Sequence, residues 1–191
     1  MDDNNKTSLF REHFIKGQIY KNVTEKKKVW QEIAGKLNGK FIVKQTVSKD
    51  VTTLVLEIPY KNYTVILTES DTKPLKSEVL LELKDDLEFR LSWEDVFDRI
   101  MKFLGKQDIE TGDHEFDKKY ILQSNNPVKA AKIISQLREL ILRLNIYVIN
   151  LSKESSGVYK LLIIKDRNTS KIDEILDFIE LNFRFIDGLI K

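Results

Sequence analysis

Alternating hydrophobic and polar positions dominate the chain from residue 41 to residue 93. Five runs show a two-residue period: 41–46, 52–58, 63–69, 77–84 and 88–93. This period places alternate side chains on opposite faces of a strand, and short connections join antiparallel neighbours. The pattern therefore predicts an antiparallel meander that is polar on one face. Turns are predicted at 59–62 and 85–86, and Lys73 and Pro74 predict a longer link at a sheet edge.

Segments with a helical period of 3.6 residues lie on both sides of this meander. Residues 8–37 predict a helix in two pieces, and Asn38 with Gly39 favours a left-handed stop at its end. Thr24 is a candidate cap for the second piece. After the meander, residues 94–104 predict a short helix.

The remainder of the chain predicts a strand, a helix, a hairpin and a second helix. The strand is predicted at 115–123, and the hairpin at 146–151 and 158–165. Asn126 followed by Pro127 is a strong helix start, and Asn145 ends that helix. A last helix carries an apolar stripe from residue 172 to residue 190, and Ser170 with Asp173 opens it as a capping box does.

These elements predict an α+β fold. An antiparallel meander sheet flanked by helices is followed by a strand–helix–hairpin–helix half. Residues 1–7 are polar and predict a disordered tail. Residues 8–191 predict a single domain, either as one unit or as two lobes at 8–105 and 106–191.

Composition excludes several classes of chemistry. The 191 residues include no cysteine and two histidines, so disulfides, thiolate metal sites and cysteine nucleophiles are excluded. Glycine-rich phosphate loops and the Gly-x-Ser-x-Gly elbow are missing from the sequence. No apolar run exceeds four residues, so the sequence predicts no integral membrane segment and a cytoplasmic location. We predict no cofactor and no enzymatic activity.

The net charge of +2 is unevenly distributed. Residues 1–50 carry +5, residues 51–117 carry −8, and residues 118–191 carry +5. Complementary charge of this kind favours an unknown protein partner or self-association. The simpler interpretation is that these charges cover the solvent faces of the sheet and its helices. No concentrated basic face is present, which argues against nucleic acid as a partner.

The densest polar cluster lies at residues 111–119. Asp113, Glu115 and Asp117 have the spacing that opens a calcium loop, and His114 lies among them. The match then fails, because Lys118 occupies the position that requires glycine. These four side chains are weak candidates for metal ligands. The alternative is a structural turn in which the Asp113 carboxylate binds backbone amides just before Phe116 enters the core.

The same stretch resembles a family motif. Gly112, Asp113, Phe116, Asp117 and Tyr120 match the pattern Gly-Asp-x-x-Phe-Asp-x-x-Phe/Tyr of a family of uncharacterised bacterial proteins. The resemblance spans residues 25–165 and includes the helix that follows the motif. Tyr120 stands where the family prefers phenylalanine. The family offers no catalytic residue, so the resemblance implies a structural motif in which phenylalanine is anchored beneath a glycine turn.

Three hypotheses about function follow from the sequence. The leading hypothesis is a non-catalytic protein-interaction or scaffolding domain. The alternative is a small-ligand or metal-binding protein that uses the 111–119 loop. A third hypothesis is contact of Lys26, Lys27 and Lys28 with acidic membrane surfaces, against which stands a simple solvated helix face.

Overall fold

The computed structural model describes residues 23–46, 51–94, 109–169 and 171–190. In chain order the elements are α1 (Val23–Lys36), β1 (Lys40–Thr46), β2 (Val51–Tyr60), β3 (Tyr63–Ser70), β4 (Lys73–Glu82), β5 (Phe89–Trp93), α2 (His114–Lys119), β6 (Tyr120–Ser124), α3 (Pro127–Leu144), β7 (Ile146–Ser155), β8 (Val158–Lys165) and α4 (Ile172–Leu189).

The strands form one eight-stranded antiparallel sheet in the order β1-β2-β3-β4-β8-β7-β5-β6. The predicted α+β class is confirmed, and the second half has the predicted order of strand, helix, hairpin and helix. β1 to β4 form the meander. β5 differs from the prediction, because the β7–β8 hairpin lies between it and β4, and β5 pairs with β6 and β7 instead.

One face of the sheet, called the inner face, forms the core. Residues directly opposite each other in the ladder share a face, and a single row crosses all eight strands: Phe41, Leu56, Leu67, Ser77, Ile163, Ile149, Leu91 and Leu122. Phe41 is half-buried and the other seven are buried. The inner face is therefore continuous from one edge of the sheet to the other.

The three long helices cover this inner face. On α1, Trp30 is fully buried and its ring lies 6.3 Å from that of Phe41. On α4, the buried Asn182 accepts a hydrogen bond of 2.7 Å from Ser77 of β4. α3 packs beside α4 and against β6. Most of α4 is shielded from solvent on all sides, and twelve of its eighteen residues are buried.

Local stop signals act where the sequence predicts them. Asn38 has φ +52°, and Gly39 N–H donates to the carbonyl of Ala34, which closes α1 with a left-handed turn. The Asn126 side chain accepts from Lys129 N–H at 3.2 Å and caps α3. Asn145 has φ +54° and ends that helix.

Two local predictions are wrong. Residues 115–119 are helical and the strand begins only at Tyr120, because the Asp113 side chain caps a helical turn. Lys73 and Pro74 lie within β4, and only Asp71-Thr72 connects it to β3. Pro74 is tolerated because β4 meets β8 only from Lys76 onward, so its missing N–H removes no bond to that neighbour.

Other predictions are wrong in position or lie outside the described residues. Thr24 lies within α1 and is not its cap. The predicted tail at 1–7, the first helical piece up to residue 22, the helix within 95–104 and Ser170 fall outside the described residues. α4 begins at Ile172 after Lys171, whose side chain makes no capping hydrogen bond.

Candidate functional site

The 111–119 motif folds into a turn followed by the short helix α2. Gly112 has φ +85°, a conformation that a residue with a side chain rarely adopts. The next residue, Asp113, accepts hydrogen bonds from the N–H groups of Glu115 and Phe116 at 3.1 and 3.0 Å. Its second carboxylate oxygen lies 2.9 Å from Arg138 on α3. Asp113 therefore joins the turn to α2 and to α3.

Asp117 closes the same turn from the other side. Its carboxylate accepts from the N–H and the hydroxyl of Thr111, and from Gly112 N–H at 3.2 Å. A carboxylate with three donors has little capacity left for a metal ion, because the same lone pairs serve both purposes. His114 and Glu115 are exposed. In the part of the chain that the structure describes, no three His, Asp or Glu side chains are grouped to hold a metal ion.

Phe116 and Tyr120 anchor the motif to the core. Phe116 is fully buried, and its ring stacks on that of Tyr120 with centroids 4.8 Å apart. The Tyr120 hydroxyl donates to the carbonyl of Ile146 at 2.8 Å. Burial of the phenol, together with the nearby charge of Asp166, raises the pKa of Tyr120 to about 12. Tyr120 is therefore a neutral structural donor at physiological pH.

A cleft opens beside the motif. It has a volume of about 360 Å³ and is lined by Trp93, Glu94, Lys118 and Lys119. The Lys119 ammonium lies 5.2 Å from the centre of the Trp93 ring and 5.5 Å from that of Tyr120. From the described residues, the cleft therefore receives two ammonium groups, one carboxylate and an aromatic surface.

Lys119 is held in this position by a polar chain that sequence reasoning missed. Its ammonium donates to the Asn145 side chain, whose amide donates in turn to Asp166. The only signal for this polar chain in the sequence is Asn145, and its local pattern predicts no more than the end of a helix. Its side chain connects α2 to the segment after β8, a link that no local pattern indicates.

The lysine run on α1 does not form one exposed cationic patch. Lys26 lies 2.7 Å from Glu69, which is only 2% exposed, and donates to the carbonyl of Thr169. Glu69 also accepts from the N–H and hydroxyl of Thr169. Lys26 is therefore engaged in holding α1 to the inner face. Only Lys28 of this run is fully exposed.

The opposite side of the sheet, called the outer face, is exposed at its centre. Ile66 and Leu80 are 38% and 59% exposed. Beside them, Glu78 lies 3.1 Å from Lys160 and 3.6 Å from Lys76. Burial raises the pKa of Glu78, but the hydrogen bond from Lys160 and the two lysine charges outweigh it and lower the pKa below its usual value. Apolar and charged side chains thus form a mixed surface, which we call the Leu80 patch.

Comparison with solved structures finds a similar architecture. The crystal structure of the mycobacterial trehalose monomycolate transport factor A matches with a TM-score of 0.53 and 10% sequence identity, over 89% of this chain and 96% of that chain. The fold is shared. Comparisons with protein-family models and with curated proteins give no match.

The helices carry no membrane-spanning pattern. Over the described residues, none combines the length and the apolar character that crossing a bilayer requires.

Proposed function

We propose that this protein is a non-catalytic protein-interaction domain of the cytoplasm. The observation that carries the proposal is the Leu80 patch. Leu80 and Ile66 leave apolar surface exposed in mid-strand beside the charges of Glu78, Lys76 and Lys160, and exposed apolar groups rimmed by polar ones are typical of protein interfaces. The lack of cysteine is consistent with a reducing compartment.

The use made of the motif carboxylates supports the non-catalytic part of the proposal. The carboxylates of Asp113 and Asp117 already accept hydrogen bonds from backbone amides and the Thr111 hydroxyl, and Asp113 also pairs with Arg138. A general base or nucleophile instead needs a reacting atom within hydrogen-bond reach and a pKa suited to proton transfer. A turnover that is abolished by changing Asp113 and Glu115 would contradict this part of the proposal.

A photo-crosslinking residue tests the interaction surface. We would place it at Leu80 and, as a matched exposed control on α3, at Glu139. The expected result is a defined protein adduct from position 80 only, followed by binding of the purified partner that Leu80→Lys weakens about tenfold or more. Equal adducts at both positions, or partner binding unaffected by Leu80→Lys, would refute the proposal.

A second candidate function is favoured by the cleft beside the motif. Its two lysines and the Trp93 ring suit a small anionic ligand with a flat or apolar part. A thermal-shift screen against divalent metals, nucleotides and common metabolites tests it. Ligand at 100 times its dissociation constant should add about 2.7 kcal/mol, or about 5–10 °C. A shift lost in both Asp113→Asn and Lys118→Glu would support this function, and a shift kept in both would exclude the cleft.

A further inference from the structure

The two edge strands of the sheet differ in what lies beside them. β6 is an edge by strand order, but Ile109 bridges to Leu122 with a hydrogen bond of 2.9 Å, and Tyr120 and Leu122 are buried. β1 is the other edge. Every one of its seven residues is half-buried or exposed, and among the described residues only β2 pairs with it. Within the part of the chain that the structure describes, β1 therefore presents a row of backbone donors and acceptors that no strand pairs with.

β1 is a firmly supported template. All seven of its residues are in register with β2, from Lys40 opposite Glu57 to Thr46 opposite Val51. Phe41 packs against the buried Trp30 of α1. At about 3.3 Å per residue, the strand offers an edge of about 23 Å. The backbone of β1 is already ordered, so its pairing with another segment should cost β1 little additional conformational entropy.

The side chains of β1 have one sign of charge. Lys40, Ile42 and Lys44 lie on the outer face, while Phe41 and Val43 lie on the inner face, where Val43 is 40% exposed. β1 contains two lysines and no acidic residue. A strand placed beside it would therefore match best with carboxylates on its outer face and apolar side chains on its inner face.

A second copy of this chain is a poor occupant. An antiparallel β1–β1 pair centred on Val43 brings Lys40 and Lys44 of both copies onto one face. Four ammonium groups within two adjacent strands repel one another, and lysines on edge strands commonly prevent self-pairing for this reason. The same lysines attract an acidic strand, so they discriminate between the two occupants.

We propose that β1 receives an extended acidic segment of a partner protein as a ninth strand of the sheet. Backbone hydrogen bonds along the edge supply affinity, and alternation of carboxylate with apolar side chains supplies specificity. β1 then serves the interaction function proposed above, on which this assignment rests. Its surface is separate from the Leu80 patch, so the two can be tested separately.

The probe is a capped seven-residue peptide of alternating glutamate and valine, titrated into the full-length isotope-labelled protein. We expect chemical-shift changes and slowed exchange at β1 amides. Lys40→Glu with Lys44→Glu should weaken binding about tenfold or more and should create binding of the matching lysine–valine peptide. The control, Lys84→Glu with Lys132→Glu, makes the same charge change on exposed positions away from β1 and should bind as the wild type does.

Four outcomes would overturn the proposal. The first is no change at β1 amides with up to about 1 mM peptide. The second is equal weakening in the control variant, which would mean that general charge attraction, and not β1, holds the peptide. The third is slow exchange, already in the free protein, of the β1 amides that point away from β2. The fourth is a concentration-dependent dimer that the double variant Lys40→Glu with Lys44→Glu no longer forms. If the position-80 adduct still forms in any of these cases, the interaction function stands and only the β1 assignment fails.

Discussion

The two ends of the sheet are built on opposite plans. At the β6 end, Phe116 and Tyr120 enter the core from the motif, and Ile109 covers the edge. At the β1 end, one half-buried ring, Phe41, packs under α1, and Val43 is left exposed. Substitutions at the β6 end must therefore cost stability, whereas the β1 end can change its side chains at little cost. A surface with that freedom is suited to recognition.

Phe116→Ala should cause the largest loss of stability at either end of the sheet. The ring is fully buried, so its removal should lower the free energy of unfolding by about 3–5 kcal/mol. The matched change at the open end, Phe41→Ala, removes a half-buried ring and should cost about 1 kcal/mol. Urea unfolding of the two variants measures the difference. Equal costs would mean that the two ends are equally packed.

Glu69→Gln should come next. The change removes the charge partner of Lys26 and one acceptor of Thr169 in a place that is nearly dry, and it should cost about 3 kcal/mol. Adding Lys26→Met should recover part of the loss, because the positive charge that Glu69 neutralises is then removed as well. The exposed Glu82→Gln serves as the control and should cost less than about 0.5 kcal/mol. A double variant less stable than Glu69→Gln alone would contradict the explanation.

The phenol of Tyr120 should make the β6 end sensitive to alkali. Tyrosine in the unfolded chain ionises near pH 10, whereas burial raises the pKa of folded Tyr120 to about 12. Between these values the unfolded state loses a proton that the folded state keeps. The free energy of unfolding should therefore be unaffected below pH 10 and fall by about 2–3 kcal/mol as pH rises to about 12.

The Tyr120→Phe variant separates this effect from other groups that titrate in alkali. It should be about 1 kcal/mol less stable near neutral pH, because the hydrogen bond to Ile146 is lost. Its unfolding midpoint should then fall less steeply than that of the wild type between pH 10 and 12. Parallel slopes for the two proteins would show that Tyr120 does not cause the loss.

Asp113→Ala should have a smaller effect than these core changes. It removes the cap of α2 and an exposed ion pair with Arg138, and should cost about 1 kcal/mol. Asp113→Asn keeps an acceptor for the amides of Glu115 and Phe116 and should cost less. Thermal unfolding of both variants measures the order. If Asn costs as much as Ala, the charge and not the cap is what matters.

The smallest effect is expected at the centre of the sheet. Burial raises the pKa of Glu78, and Lys160→Gln removes the hydrogen bond and one of the two lysine charges that together outweigh burial and lower that pKa. The pair is exposed enough to be screened, so the cost should stay below about 1 kcal/mol. This contribution is present above pH 4.5 and is lost as pH falls through the lowered pKa of Glu78. The variant should therefore lose less stability than the wild type between pH 5 and pH 3.

Part of the fold could be predicted because the signals are local. The strands of the meander followed from the two-residue period, and α3 followed from Asn126, Pro127 and Asn145. The same kind of reasoning failed at residues 115–119. Acidic and apolar positions alternate there as they do in a strand, but the Asp113 side chain supplies helix-capping bonds that outweigh so short an alternation.

The site could be predicted only in part. The sequence drew attention to Asp113, Asp117 and Phe116, but it did not indicate that Trp93 and Lys119 line a cleft beside the motif. Trp93 lies at the end of β5, far from the motif in the chain. Its place beside Lys119 depends on the pairing of β5 with β6, which no local pattern encodes.

The sequence by itself determined the types of element and where several of them end, because backbone sterics and side-chain period act over a few residues. Tertiary structure alone decided that the β7–β8 hairpin separates β4 from β5, and that Lys26 reaches Thr169 across 143 residues of chain. The reason is physical. Strand pairing and buried ion pairs depend on which apolar faces are buried together, and several arrangements share the same local pattern until the whole core is assembled.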